Sequence, residues 1–581
     1  MKFSKKLNYI LLLILTMLNI IFRYPTTMHE LGGFDSFFIH GLANSISVNG
    51  YAKWIINPLS IFGLYPYSYP SAIPYILSGV SQCTDLGMEW TIFLVGTCVG
   101  IFAIFTTYLM AREIKNDDLF AFLVAFTFSL SPVLLSLTRW CASTRGMFLS
   151  LLPLLIWGLL RYHNKNDTRY ILLSAVLFVI IATIHRAAWL IIPVFFAYFI
   201  AVTIENISRK IKLSKETLLP ILGILLLGVL IICAIMATDN LTPLLLIVFV
   251  AYFLNSIFQK IDKKLRASVI ISLILILLFI CSFIMQFSEM SIYKTSDIWY
   301  NYQAGYFFEG SEWYILILNM LTNYTGQIGI LIFFGIIGIF VLLLKSKKDF
   351  NYWFILLSIL FLISLSALGT YVPIVLLPFF SVLIGIGLCK ILNITQMRKY
   401  GIPIIMCCLL ISLSFSGFMI NHWENIPLGK TNLTPLMEDE TYSAAIFLKD
   451  YGHGTFVSSD SIISYRISAY SETPLFPGHS AWPLAYSFID NPEIVSMTEF
   501  TLNLDYLYVA NNTVQKDYNV SLTFDCDNTT AKELLSKYNI HYYIENNNMQ
   551  PQDQFFKSVR EKRYKIYDDG VESIWYLGVG V

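Results

Sequence analysis

Apolar runs long enough to cross a hydrocarbon layer recur along nearly the whole chain, and a backbone placed in lipid must satisfy its own polar groups, which favours helices. The runs fall near residues 7–22, 89–110, 118–136, 146–160, 170–184, 187–204, 218–237, 241–258, 267–287, 326–344, 352–368, 371–391 and 402–420. By length they make about thirteen spans. Hydrophobic residues form 56% of the 581 positions and charged ones 13%. That composition belongs to a mainly α, polytopic membrane protein. The opening MKFSKKLNYILLLILTMLNIIF has signal-peptide character, but FRYP follows it in place of a small-residue cleavage site, so a retained first helix is expected.

Basic residues orient the spans. MKFSKK, AREIK, RYHNKNDTR, SRKIKLSK, QKIDKKLR, KSKK and QMRK all fall on the side of the N-terminus, roughly 22 Lys and Arg against about 6 in the opposite loops. The expectation is a multi-pass protein of the cell membrane with a cytoplasmic N-terminus and the C-terminal region outside. Two domains follow: residues 1–420 in the membrane and 421–581 as an external soluble unit. The cytoplasmic loops are short and hold no GxxxxGK[ST] or GxGxxG pattern, which disfavours chemistry driven by cytosolic nucleotides. The net charge of +1 and the lack of a basic block give no sign of a nucleic-acid partner. Nine cysteines are scattered, mostly in apolar runs, and imply no disulfide framework.

The tail reads as α/β. GTFVSSD and TPLF are strands flanking the helix SIISYRISAYS, and TAKELLSKYNI is a helix leading into the strand HYYIE. Its Asp460, Arg466, Glu472, His479 and Asp490 show no spacing that specifies a site, so most are expected at the solvated surface. Glycosylation acceptors at Asn511, Asn519 and Asn528 are matched by others at Asn166 and Asn206 in cytoplasmic loops and discriminate little.

Chemistry is expected on the external side, where residues 23–88 form a first loop far longer than a helix connection needs. Within GGFDSFFIHGLANSI, Phe34, Phe38, Leu42 and Ile46 recur every four residues, the pattern of a short amphipathic helix at the outer interface. Asp35 falls in its first turn, either as a general base for an acceptor hydroxyl or as a helix cap. Glu30 is a second acid or a solvated loop residue. Arg139, Arg145, His185, Arg186 and Lys294 are the notable basic and imidazole groups outside. His185 and Arg186 sit between two apolar runs with almost no loop to solvate them, and such a cation needs an anion. A lipid phosphate gripped by guanidinium groups would supply it; interfacial snorkelling or pairing with Asp239 is the alternative. The aromatic-rich segment ending in Glu309 and Glu312 suits sugar rings or an interfacial belt. The link TRWCASTRG, residues 138–146, has no acid, so convergent carboxylates for a divalent metal are lacking there; no cofactor is expected, with a divalent metal as the unsupported alternative.

The first loop carries an acid before aromatics (Asp35-Ser36-Phe37-Phe38), then Asn49-Gly50, then Tyr-Pro steps (Tyr65-Pro66, Tyr69-Pro70-Ser71) leading into the second span. In these features and in its layout the chain resembles the multi-pass glycosyltransferases of the GT-C class, most of all the branch holding the catalytic oligosaccharyltransferase subunit. The resemblance implies a sugar donor on a polyprenyl (dolichyl) phosphate or diphosphate, catalysis on the external face, and Asp35 as base or acceptor-positioning acid. The chain departs from that branch in two places. The second loop has Arg139 and Arg145 but no metal-binding acid, and no WWDxG-type motif surrounds Trp482 or Trp575. The expected reaction is therefore a metal-independent, inverting transfer of one sugar to a glycan or protein acceptor. The alternatives are oligosaccharyltransferase-like transfer of a lipid-linked glycan to protein, or a polytopic transporter or flippase of such glycans.

Overall fold

The first apolar run folds as α1 (Lys5–Arg23) and stops before Tyr24-Pro25, since the residue preceding a proline is pushed out of the α region. The structure, a computed structural model, describes residues 5–32, 34–65, 67–210, 313–345, 349–364, 371–392, 400–428, 433–478, 481–489, 513–548 and 553–578. The membrane part continues with α2 (Phe34–Asn49), α3 (Ala72–Thr84), α4 (Met88–Ile114), α5 (Asp118–Ser129), α6 (Pro132–Ser136), α7 (Thr144–Lys165) and α8 (Thr168–Ile184). A 3₁₀ segment, Arg186–Ile191, then runs into α9 (Ile192–Lys210), followed by α10 (Trp313–Ile328), α11 (Ile332–Leu344), α12 (Phe350–Ser364), α13 (Val372–Leu392) and α14 (Gly401–Glu424).

Six of these segments are long and apolar enough to cross a membrane: Lys6–Arg23, Met88–Ile114, Thr144–Lys165, Arg186–Glu205, Val372–Leu392 and Gly401–Glu424. Leu321–Ile328 with Ile332–Leu344, bent by 103°, adds a seventh if the pair is one span. Asp118–Ser129, Thr168–Ile184 and Phe350–Ile363 are shorter apolar helices. The expected spans at 218–237, 241–258 and 267–287 lie outside the described residues. The expected span 118–136 is two helices, because Ser131 and Pro132 start a new helix there: the Ser131 hydroxyl accepts from the Leu134 amide, with Pro132 at the first helical position.

Small residues bring helices into backbone contact. A Cβ on Gly338 of α11 would stand 1.9 Å from the Leu383 carbonyl oxygen, and one on Gly387 of α13 would stand 2.0 Å from that of Phe334. Close approach of this kind compensates for the weak drive to associate between apolar helices in lipid. At the end of α1, Arg23 is fully buried. Its Nε donates to the Thr138 hydroxyl at 2.8 Å and its Nη1 to Asn19 Oδ1 at 2.7 Å. Gly100 of α4 leaves the space for it, for a Cβ there would fall 2.0 Å from Arg23 Nε.

The C-terminal part contains α15 (Asp439–Tyr451), β1 (Thr455–Ser458), α16 (Ser461–Ser471), β2 (Leu475–Phe476), α17 (Trp482–Ala485), α18 (Thr513–Leu522), α19 (Thr529–Lys537), β3 (Ile540–Asn546), α20 (Gln554–Lys562), β4 (Tyr564–Asp568) and β5 (Glu572–Tyr576). The sheet order is β2-β1-β3-β5-β4. The first three strands are parallel and the last pairings antiparallel. Three strands and two helices lie where the sequence pattern places them. Helix α16 is started by Asp460, which accepts from the Ile462 and Ile463 amides. Asp460 and Arg466 are buried rather than solvated, which corrects the expectation for the tail. Glu472 is exposed and pairs with Lys449, and His479 and Asp490 fall outside the described residues.

Glu572 in β5 is fully buried, with Oε1 accepting from Asn546 and Thr441 and Oε2 left without a partner. Burial pushes its carboxyl up to about 8. A carboxyl raised above its unfolded value of 4.5 favours the folded state while protonated, and that advantage is lost as pH climbs from there toward about 8. Melting of the solubilised protein is thus expected to occur at lower temperature near pH 8 than near pH 5. In Glu572→Gln, which keeps an acceptor for Asn546, this part of the pH dependence should vanish. An unchanged pH slope in that variant would remove Glu572 as its source.

Helix α2 joins the two parts. Phe37, Phe38, Ile39, Leu42, Ala43 and Ile46 are buried, and so are Ser36, His40 and Ser45. The expected amphipathic helix at the interface is therefore an enclosed one, packed between α3 and α16. Gly41 admits the Trp482 ring, which a Cβ would meet at 2.5 Å, and the Tyr486 hydroxyl donates to the Gly41 carbonyl at 3.0 Å. Stacking of Phe38 on Trp482, with centroids 5.8 Å apart, completes the joint.

Candidate functional site

The link between α6 and α7 lies along the segment that enters α2. The Leu31 amide donates to the Trp140 carbonyl at 2.8 Å, and the Ala142 amide donates to the Ser36 hydroxyl at 2.8 Å. From the other side the Gly32 amide donates to the Pro435 carbonyl at 2.9 Å. Gly32 has φ +135°, where a side chain is disfavoured, and a Cβ would lie 2.5 Å from that of Ser36. These contacts fix the first turn of α2 against that of α7.

Asp35 and Arg145 meet where those turns face one another. Arg145 Nη2 donates to Asp35 Oδ2 at 2.6 Å, with side chains 32% and 58% exposed respectively. Tyr69, from the Tyr-Pro step before α3, lies among the same charges. Burial chiefly, and Asp35 next, push its hydroxyl up, while a hydrogen bond to Thr144 and the charges of Arg186 and Arg145 ease it. His185 ends α8; its Nδ1 accepts from the Ala187 amide at 2.9 Å, leaving Nε2 as the nitrogen that carries the proton when the ring is neutral. Arg145 and Arg186 both act on His185 electrostatically. The Tyr371 ring stands edge-on to His185 with centroids 4.9 Å apart. One carboxylate, two guanidinium groups, an imidazole and two phenols thus share one end of the helical bundle.

Of the residues singled out in the sequence, Asp35, Arg145, His185 and Arg186 come together. Two others do not join them. Arg139 is nearly buried and donates to Glu424 at the end of α14 and to the Thr26 hydroxyl, so it ties helix ends together. Glu30 is 0% exposed, so it is not a solvated loop residue, and it pairs with His40 rather than with Arg145. Its Oε2 lies 2.9 Å from His40 Nδ1, and burial pushes its carboxyl up. His40 is five residues after Asp35, about 140° around the helix, so Glu30 addresses a different face of α2. There, Glu89 accepts from the Glu30 amide at 3.0 Å and the Tyr470 hydroxyl at 2.8 Å, and His29 Nδ1 stands 3.3 Å from it. Lys294 and Glu309 lie outside the described residues, as does Asp239. Tyr371, Tyr470 and Glu89 went unnoticed because nothing in their spacing marks them; Tyr69 stood in plain view within the Tyr-Pro step.

Among the described residues the Asp35 group offers a single carboxylate, already engaged by a guanidinium, where a hard divalent cation is usually held by several oxygen ligands. Among the described residues one group has metal-ligand spacing, Asp525, Cys526 and Asp527. Its carboxylates are neutralised by Lys562, Arg563 and Lys532, and it is in the C-terminal sheet region, not with Asp35.

In fold the chain is similar to solved GT-C glycosyltransferases. The particular proteins that show it are distant in sequence. The chain is 15% identical to the archaeal oligosaccharyltransferase AglB from Archaeoglobus fulgidus, solved with an inhibitory peptide and a dolichol-phosphate, with a TM-score of 0.55 over 93% of this chain and 69% of that one. It is 10% identical to ArnT from Cupriavidus metallidurans bound to undecaprenyl phosphate, with a TM-score of 0.53 over 99% and 98% of the two chains. The same oligosaccharyltransferase has also been solved with Zn and sulfate; there the identity is 14% and the TM-score 0.53, over 92% of this chain and 68% of that one. No protein-family model and no curated protein sequence matches the chain.

Proposed function

We propose that this protein is a membrane glycosyltransferase that moves a sugar from a polyprenyl-phosphate donor to an acceptor, a glycan or a protein, at the membrane face carrying the C-terminal unit. By the distribution of Lys and Arg that face is the external one. The observation that carries the reading is the pairing of Asp35 with Arg145, with Arg186 and His185 in the same electrostatic neighbourhood at one end of the bundle. Similarity of fold to proteins solved with dolichol-phosphate and undecaprenyl phosphate supports a lipid-phosphate donor.

The guanidinium groups of Arg145 and Arg186 suit the donor phosphate, since the planar fork matches phosphate oxygens and strengthens as charge develops on the leaving group. Asp35 takes the proton of the acceptor hydroxyl as its oxygen attacks the anomeric carbon. The bond from that carbon to the phosphate oxygen breaks, and the electron pair leaves with the polyprenyl phosphate. A single displacement of this kind inverts the anomeric centre. Charge on the leaving phosphate is offset by arginine, so the mechanism uses no metal.

Mass spectrometry of surface glycans from a strain lacking the protein tests the class of activity. A glycan missing one sugar supports transfer, whereas intact glycans with altered solute uptake would point to a transporter. A finer test is Arg186→Ala. The Michaelis constant for the lipid donor should rise roughly tenfold or more, as expected for a lost charge-assisted contact. Unchanged donor dependence would take Arg186 out of the phosphate site.

A further inference from the structure

The roles given above to Asp35 and Arg145 conflict in the resting structure, because the two side chains hold each other. A carboxylate with one oxygen on a guanidinium has that oxygen already occupied as an acceptor. The guanidinium so engaged is turned away from a phosphate. The segments that carry them are tied to neighbours: the Ser36 hydroxyl accepts from the Ala142 amide, the Gly32 amide donates to the Pro435 carbonyl, and the Thr144 side chain bonds Tyr69. A change of partner calls on rotation of the Asp35 and Arg145 side chains.

We propose that Arg145 is a positioning residue that couples the donor site to the base: it restrains Asp35 while the site is empty and passes to the donor phosphate when the lipid arrives, freeing the carboxylate for the acceptor. The inference rests on the proposed transferase reading and adds an order of events, donor before acceptor.

Three observations carry it. First, the pair is open to solvent, with Asp35 more exposed than Arg145, so both groups are within reach of an incoming ligand. Partly exposed ion pairs are weak, whereas bidentate contacts of arginine with phosphate are among the stronger hydrogen-bonded pairs, so the exchange runs downhill. Second, Arg145 and Arg186 act on the same two groups, His185 and Tyr69. A phosphate gripped by Arg186 therefore arrives within the field of Arg145. Third, among the described residues Glu30 and Glu89 are already engaged: Glu30 is buried against His40, and Glu89 is held by Tyr470 and the Glu30 amide. Such coupling would restrain the base from activating water before a donor is in place.

The full-length protein in detergent, labelled at carboxyl groups with a water-soluble carbodiimide and an amine and read by peptide mass spectrometry, tests this with undecaprenyl phosphate as the probe. Labelling of Asp35 should be slow alone and rise about fivefold or more when the lipid is added, as the carboxylate is released from the guanidinium that covers it. In Arg145→Gln it should be fast and indifferent to lipid. In Arg145→Lys, which retains the charge, part of the lipid response should return. Labelling of wild-type Asp35 that stays level or falls with lipid, while separate measurement shows the lipid bound, overturns the coupling without the need for any variant. Equal labelling of Arg145→Gln and the wild type overturns it as well. Failure of the underlying reading looks different: a folded Asp35→Asn protein that still transfers sugar at the wild-type rate.

Discussion

Asp35→Asn is expected to leave a folded protein whose rate of sugar transfer falls by about 10²–10⁴. The size follows from the usual contribution of a general base, since asparagine has the same shape but cannot accept the hydroxyl proton at neutral pH. Stability should hold, because the side chain is 58% exposed and its ion pair with Arg145 is at the surface. A partly exposed pair of this kind contributes about 0–1 kcal/mol. The experiment compares the melting temperature and size-exclusion profile of the variant with its transfer of labelled sugar from a polyprenyl-phosphate donor. A folded variant with full activity would end the assignment of Asp35 as base.

The second large effect concerns folding. Gly100→Leu is expected to destabilise the protein by about 3–5 kcal/mol, the range for a buried charge that loses its partners. Arg23 has no room to move aside. It is enclosed, with its Nε on Thr138 and its Nη1 on Asn19, and the new Cβ alone would lie 2.0 Å from Nε. Displaced, the guanidinium leaves those polar groups unpaired between α1, α4 and the start of the α6–α7 link. Gly79 of α3 provides the contrast, since an added Cβ there meets nothing within 4 Å. Gly79→Ala should be neutral or stabilising by up to about 1 kcal/mol, the ordinary gain from replacing glycine inside a helix. Thermal unfolding of both variants in detergent is the comparison. A Gly100→Leu protein that melts with the wild type would show that Arg23 is not needed where it lies.

Much of the fold was legible because membrane helices announce themselves by length and apolarity, and because β1, α16, β2, α19 and β3 alternate in plain periodicity. The β4–β5 hairpin was missed although Asp569-Gly570 is a turn signal, with Gly570 at φ +95°. The surroundings of α2 were misjudged for a different reason. Its four-residue period describes a helix correctly, but what covers the other face comes from α16 and α17, distant in sequence, and period alone cannot reveal a cover. The site followed the same rule. Asp35 and the His185-Arg186 pair stood out locally by charge in apolar surroundings, whereas the pairing of Asp35 with Arg145 spans 110 positions and Arg139 was drawn to Glu424 across 285. No pattern within a window reports such partners.

The seat of Trp482 against Gly41 bears on how such proteins diversify. Tyr486 reaches the Gly41 carbonyl from 445 positions away, so two remote stretches of the gene encode one joint. A head grafted from a cousin would carry its own tryptophan, or a bulkier or smaller ring, onto a ledge cut for another. Recombination that trades heads should therefore succeed only when residues 34–49 travel with them, and drift at either position should be answered at the other.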